Sequence, residues 1–365
     1  MRIISTSNCK VGMIVGKAII YNGTTILLEA GARLTVSYIN RLINLGITDI
    51  YIEDDISKDI VINDVIEEKT RLEAIEIVKS TMDAYYFGNK PKSTKIIEVV
   101  NKIVNDILSL DDIIINLMDI KTCDNYTFLH SVNVCVLSIV TGVKLKLSYD
   151  ELKELGIGAL LHDIGKVMIP PKILQKNSAL TDEEYDIIKQ HSLFGYNILK
   201  TMPQISENSA KVALCHHERY DGKGYISGLK KNEIHIYSRI VAAADIFDAL
   251  TSDRIYRKKI SIIQAIDYLT VIAAPTLDAE VLRCFIKIIP PFPVGTGIIL
   301  NTGEKGIVIS LNKYLPTRPV VRIVFNSDGS KKSDFTETDL SKEKECFIKS
   351  SVELIWWCRL LRYNR

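Results

Sequence analysis

Tryptophan and histidine are scarce in this 365-residue chain, with two of the first and six of the second. The seven cysteines (9, 123, 135, 215, 284, 346 and 358) form no CxxC pair. Their odd number and scatter exclude a disulfide framework and suit reduced thiols, so a cytoplasmic protein is expected. The N-terminal "MRIISTSNCK" lacks the apolar stretch of a signal peptide. No run of about 18 apolar residues stands out, so no membrane span is expected. Neither charge dominates, with 46 Lys+Arg against 44 Asp+Glu, which gives no sign of a binder of nucleic-acid polymers. What is left is a soluble globular protein long enough for two or three domains.

What is present falls into blocks. Residues 1–60 alternate short β-like runs with turns, including Asn22-Gly23 between apolar stretches, a hairpin signal. "TVSYINRLINLG" follows as a short helix closed by Gly46, then the strand-like "ITDIYIE". This is a small α/β module with no clustered histidine or cysteine. Residues 61–115 are helical and charged, with apolar positions at helical spacing; they read as a connector packed on a core, or else as a dimer-forming stalk. Residues 116–290 are the densest helical region, with capping boxes at Ser148…Glu151 and Thr181…Glu184. Pro290, Pro291 and Pro293 end it, and a small β domain is expected over 291–345. The tail, 346–365, holds both tryptophans beside arginines and reads as a docking helix or a poorly ordered end ahead of an amphipathic helix at a membrane surface. The fold class expected is mainly α, a helical bundle flanked by two small domains.

Five of the six histidines (130, 162, 191, 216 and 217) fall in the helical block; His235, between a turn and a helix, reads as structural. His162 is followed at once by Asp163 in "LLHDIGK", near a helix end, where two neighbours can straddle one ion or bridge two. Lys166, four residues after His162, would share its helix face and balance a phosphate. His191 in "KQHSLFGYNIL" and His130 in "YTFLHSVNV" each fit a satisfied core histidine as well as a ligand. Asp245 lies among Val, Ala, Ile and Phe, where an unpaired charge costs several kcal/mol. Either a metal or an arginine such as Arg239 or Arg254 must meet it. Taken together, imidazoles with carboxylates suit pairs of Fe, Mn, Zn, Co or Ni rather than Ca or Mg.

In order along the chain, "HDIGK" at 162–166, His191, "HHERYDGKGY" at 216–225 and "DIFDALTSDRIYR" at 245–257 resemble the HD-GYP branch of the HD-domain phosphohydrolases. The likeness covers roughly half the chain. It implies an all-helical HD-type domain that hydrolyses cyclic di-GMP to linear pGpG or GMP, with two or three divalent transition metals, Fe or Mn, as cofactors. Position by position, it implies His130, His162, Asp163, His191, His216, His217 and Asp245 as metal ligands, with Asp163 bridging. Lys166 would meet the phosphate, and Gly224, Tyr225, Arg254 and Arg257 would hold the dinucleotide. Asp163, Lys166 and Asp248 would serve the chemistry, Asp248 from beside the site. A homodimer through the connector is a further expectation.

Two positions depart from the family pattern. Its Gly-Tyr-Pro becomes Gly224-Tyr225-Ile226, and without proline to fix φ a looser loop is expected. Position 126, where members with three metals carry a carboxylate, is Tyr126, which argues for two. A weakly active cyclic-dinucleotide receptor, and an HD phosphohydrolase for another nucleotide, are the competing readings.

Overall fold

The computed structural model describes residues 1–21, 25–89, 91–110, 126–176, 178–252 and 259–354. Its contacts divide the chain into two compact units, a helical one from the middle of the chain and a second that joins its two ends.

In the second unit, β1 (Arg2–Ser5), β2 (Ile14–Val15) and β5 (Asp49–Glu53) form an antiparallel sheet in the order β1-β5-β2. Between them lie β3 (Ile19–Tyr21), β4 (Thr25–Leu28) and α1 (Val36–Asn44). β3 and β4 pair antiparallel; the Asn22-Gly23 turn expected between them lies outside the described residues. Thr35 caps α1, its hydroxyl accepting the Tyr38 N–H, and Gly46 follows the helix at φ +68°. A second, five-stranded antiparallel sheet runs β10-β6-β7-β8-β9, from β6 (Gly297–Leu300), β7 (Lys305–Ser310), β8 (Val320–Phe325), β9 (Lys331–Asp339) and β10 (Ile348–Ser351).

Alternation along β5 explains why the two ends of the chain share one core. Ile50 and Ile52 point into a cluster with Ile4, Val15 and Leu42, whereas Tyr51 points the other way, among Ile307, Val324 and Leu354. A strand buried on both faces cannot belong to a free-standing module. Arg322 adds a bidentate pair to Asp59, at 2.7 and 2.6 Å, and a bond to Glu337. Thus the N-terminal module and the C-terminal β domain, separate blocks in sequence, are one structural unit.

The helical unit begins with α2 (Glu68–Tyr86) and α3 (Ser93–Leu108), the connector region. α3 buries Ile96, Val99, Val100, Ile103, Val104 and Ile107 at 3.6-residue spacing against this same unit, each contributing roughly 1.5–3 kcal/mol. Next come α4 (Tyr126–Lys144), α5 (Tyr149–Leu160), α6 (Pro171–Leu174), α7 (Asp182–Lys189), α8 (His191–Lys200) and α9 (Glu207–Cys215). α10 (Ile236–Thr251), α11 (Ile262–Asp267) and α12 (Ala279–Lys287) complete it. Both expected capping boxes form, at Ser148–Glu151 and Thr181–Glu184.

One expectation needs correcting. α4 is long and apolar enough, over Thr127–Lys144, to pass for a membrane span, although none stood out in the sequence. Val132, Val134, Leu137, Ile139 and Val140 are buried inside the unit, and the helix carries His130 and Asn133 to a polar site. Its length and apolar character are those of a central core helix. The tail from residue 355 onward, with both tryptophans, lies outside the described residues.

Candidate metal centre

The seven side chains singled out from the sequence converge in the helical unit. The chain leaves α5 at Leu161, so His162 and Asp163 sit in a turn that continues as a 3-10 helix over Ile164–Met168. This tighter helix corrects the expectation that Lys166 shares a face with His162. Instead Lys166 returns to Asp163, with Nζ 2.5 Å from Oδ2. The turn can lie this close to α8 because residue 165 is glycine: a Cβ there would stand 1.9 Å from the His191 carbonyl oxygen and 2.4 Å from the Gly195 nitrogen.

Backbone carbonyls set the tautomers. The Nδ1 atoms of His162, His191 and His216 lie 2.8 Å from the Ala159 oxygen, 2.7 Å from the Ile188 oxygen and 3.0 Å from the Ala213 oxygen. Each Nδ1 therefore carries the proton, and each Nε2 turns its lone pair inward. Burial first, then neighbouring imidazoles, holds His216 well below its usual range; burial likewise lowers His191, and takes His217 down to about 4. Neutral imidazoles at neutral pH are what a cation requires.

Asp163 stands between two sets of donors. Its Oδ2 lies 3.4 Å from His162 Nε2 and 4.0 Å from His130 Nε2, while Oδ1 lies 3.4 Å from His191 Nε2 and 3.9 Å from His216 Nε2. One group thus comprises Asp163, His191, His216 and His217, and the other His130, His162 and Asp245, with ligand atoms in each within 4.8 Å of one another. His162 Nε2 and Asp163 Oδ1 are buried with no hydrogen-bond partner among the described residues. Each orphaned buried acceptor, one in each donor group, costs free energy that a cation beside it recovers. Burial alone would push Asp163 up, but Lys166 and the histidines outweigh it and hold the carboxylate well below its usual range. The donor set therefore fits divalent metal.

α10 supplies Asp245 and Asp248, three residues apart on one face, and the two grip the His130 ring from both nitrogens. Nε2 is 3.1 Å from Asp245, and Nδ1 is 2.8 Å from Asp248. Burial works against a charge on His130, yet these two hydrogen bonds prevail and raise it to about 9. A metal on Nε2 takes the place of that proton. Asp248 is itself held by Asn133 Nδ2 at 3.0 Å and by Ser252, and the Asn133 oxygen accepts from Arg71 of α2 at 3.3 Å. Asn133 and Arg71 were missed in the sequence. Asn133 is three residues after His130, a helical spacing that offered the one available clue. Of the arginines considered for Asp245, Arg239 pairs with Asp278 at 2.5 Å and Arg254 lies outside the described residues, as do Arg257, expected to hold the dinucleotide, and the Tyr126 side chain. His235 accepts the Tyr237 N–H as the cap of α10.

Beside the two groups opens a cleft of 540 Å³ walled by Tyr185, His217, Tyr225, Tyr268 and Ile272, with Arg219 and Lys223 at its edge. Tyr225 lies over the His217 ring, centroids 4.8 Å apart and planes 30° apart, and burial pushes its phenol up so that it remains protonated. Its N–H reaches the His217 carbonyl at 3.3 Å. Gly224 permits this: a Cβ there would lie 2.4–2.6 Å from the backbone of residues 217–219. Although Ile226 stands where the HD-GYP pattern has proline, the loop is closed by Glu218, whose Oε1 accepts from the N–H groups of Ser227 (2.7 Å) and Gly228 (3.0 Å).

Residues 118–281 match the profile of the HD domain, and residues 298–355 that of the KOW domain associated with the HD domain. The helical part of this chain is thus similar to the HD domain. Over 230 residues the chain is 35% identical to cyclic di-GMP phosphodiesterase PA4108 of Pseudomonas aeruginosa, covering 63% of this chain and 55% of that protein. Against cyclic di-GMP phosphodiesterase PdeB of Borreliella burgdorferi the identity is 32% over 207 residues, covering 57% and 54%. A 3'3'-cGAMP-specific phosphodiesterase 1 of Vibrio cholerae is 34% identical over 187 residues, covering 50% and 42%. The chain spans about half the length of these curated relatives. The match to the HD domain coincides with the elements that carry both donor groups.

Proposed function

We propose that this protein is a metal-dependent phosphodiesterase that opens cyclic di-GMP to linear pGpG or onward to GMP. The observation that carries the reading is the placement of Asp163, one oxygen toward each donor group. Such a carboxylate would serve two ions, and the imidazole-rich sets favour transition metals, which we take to be Fe or Mn, over Mg or Ca. His191, His216 and His217 would hold one ion; His130, His162 and Asp245 would hold the other. When bound, such a pair makes water ionisable at neutral pH and draws charge from the oxygens of a phosphate under in-line attack.

The chain's own residues do the rest. Asp248 fixes the ring of His130 so that Nε2 faces inward. Lys166, 29% exposed at the edge of the site, would exchange its pairing with Asp163 for a non-bridging phosphate oxygen. Tyr225 stays protonated and would donate a hydrogen bond to the substrate or pack on a base, with Tyr185 and Tyr268 across the cleft offering further faces. Lys223 brings positive charge to the cleft, which must admit a dianion, while Arg219 is paired with Asp221.

The test is turnover. Protein loaded with Mn or Fe should convert cyclic di-GMP to a linear product, and Asp163→Ala should lower the rate by about a thousandfold or more. Tight binding without turnover in any metal would replace the enzyme by a receptor. The resemblance to a 3'3'-cGAMP-specific enzyme favours one second reading, a mixed cyclic dinucleotide as substrate. A panel of cyclic dinucleotides in the same assay separates the two.

A further inference from the structure

We propose that Glu218 is a positioning residue, a buried clamp that holds Tyr225 against the metal ligand His217 and so sets the grip on the substrate. The inference deepens the phosphodiesterase reading and rests on it for its kinetic consequences. Glu218 follows the two adjacent histidines directly and is 4% exposed, unusual for a glutamate. Its Oε1 accepts two backbone N–H groups, from Ser227 at 2.7 Å and Gly228 at 3.0 Å, nine and ten residues further along. Oε2 is buried and has no hydrogen-bond partner among the described residues, so the carboxylate is placed there at a cost in desolvation. The segment it encloses holds Gly224, Tyr225 and Ile226.

Other bonds fix the near side of the loop. Tyr225 N–H meets the His217 carbonyl, Lys223 N–H meets Asp221 Oδ1 at 3.1 Å, and Asp221 pairs with Arg219 at 2.6 Å. The far side, beyond Ile226, returns to the helix end through Glu218. The same short segment therefore supplies a metal ligand, His217, and the tie that keeps Tyr225 stacked on it. A carboxylate clamp does here what a rigid residue at 226 would otherwise do.

The experiment uses the full chain, loaded with Mn, as wild type, Glu218→Gln and Glu218→Ala. In Glu218→Ala the amides of Ser227 and Gly228 should exchange hydrogen at least about tenfold faster, with metal content unchanged. Its KM for cyclic di-GMP should rise about tenfold or more, with a smaller change in kcat. Glu218→Gln keeps an acceptor oxygen and should stay within about threefold of wild type in exchange and KM. Adding Glu218→Ala to Tyr225→Ala should cost almost nothing beyond Tyr225→Ala alone, since both act through one ring. Should Glu218→Ala not fold, Glu218→Asp, one methylene too short to reach both amides, carries the same expectation. Unchanged exchange at 227 and 228, or additive losses with Tyr225→Ala, would overturn the clamp. Wild-type protein that turns over no cyclic dinucleotide would sink the phosphodiesterase reading, while the exchange comparison would still decide the clamp.

Discussion

Replacing Gly165 by alanine tests whether the crossing of the 3-10 turn and α8 holds the site together. The added Cβ would lie 1.9 Å from the His191 carbonyl oxygen, 2.4 Å from the Gly195 nitrogen and 2.9 Å from the His191 carbonyl carbon. All three are backbone atoms, so no rotamer change relieves the clash. Carbon and oxygen in close contact stand about 3.3 Å apart, so the turn and α8 must separate by more than about 1 Å. Overpacking by flexible side chains costs about 1–3 kcal/mol, and against backbone the upper end or beyond applies. For a helical unit of this size, about 3 kcal/mol lowers Tm by roughly 6–12 °C. The functional loss should be larger still, because His191 starts α8 while Asp163 and Lys166 flank the turn. A 1 Å displacement at a catalytic site costs about a hundredfold. Gly195→Ala is the control: its Cβ would meet the Ala213 Cβ at 3.1 Å and the Gly165 nitrogen at 3.4 Å, a tight but tolerable fit costing about 1 kcal/mol. Melting curves and metal stoichiometry of both variants decide the matter. A Gly165→Ala protein that melts with wild type and holds full metal would refute the argument.

Two further perturbations read the metal centre directly. Stripping the protein with a chelator should lower its Tm by about 5–10 °C relative to protein held at a hundredfold excess over Kd, where binding contributes about 2.7 kcal/mol; an unchanged melt would show that the two donor groups hold no ion. Asn133→Ala removes a 3.0 Å bond to Asp248 and should weaken metal binding about 10–100-fold, at a stability cost of about 1–3 kcal/mol, measured by competition with a chromogenic chelator.

The sequence revealed the donor atoms more readily than their supports, for a physical reason. A buried imidazole or carboxylate is conspicuous because burial is costly, so Asp245 among alanines and His216 beside His217 stood out without any structure. Capping boxes are also local, and those at Ser148 and Thr181 formed as their spacing required. The supports are tertiary. Asn133 meets Asp248 across 115 residues, and Glu218 closes a loop whose partners are backbone amides with no sequence signature. The same limit hid the joining of the chain's ends. "DIYIE" shows alternation, but it does not show that a second sheet waits behind Tyr51.

These supports also bear on residue 226, just after the motif at 216–225, where isoleucine stands in place of the proline of the HD-GYP pattern. A proline acts by restricting φ at one residue, an effect written into the sequence. Glu218 acts across nine residues by offering one oxygen to two amides, and it holds the loop whatever side chain follows Tyr225, provided the chain can still bring Ser227 and Gly228 to it. Gly224 adds a second constraint, since any side chain there would strike the backbone of residues 217–219. Between a glycine that cannot be enlarged and a glutamate that cannot be withdrawn, the position of Tyr225 over His217 is fixed from both sides. The substitution at 226 therefore falls at the least demanding point of the loop. The same reasoning makes Glu218 and Gly224, rather than Ile226, the positions where change should loosen the hold of the loop on Tyr225.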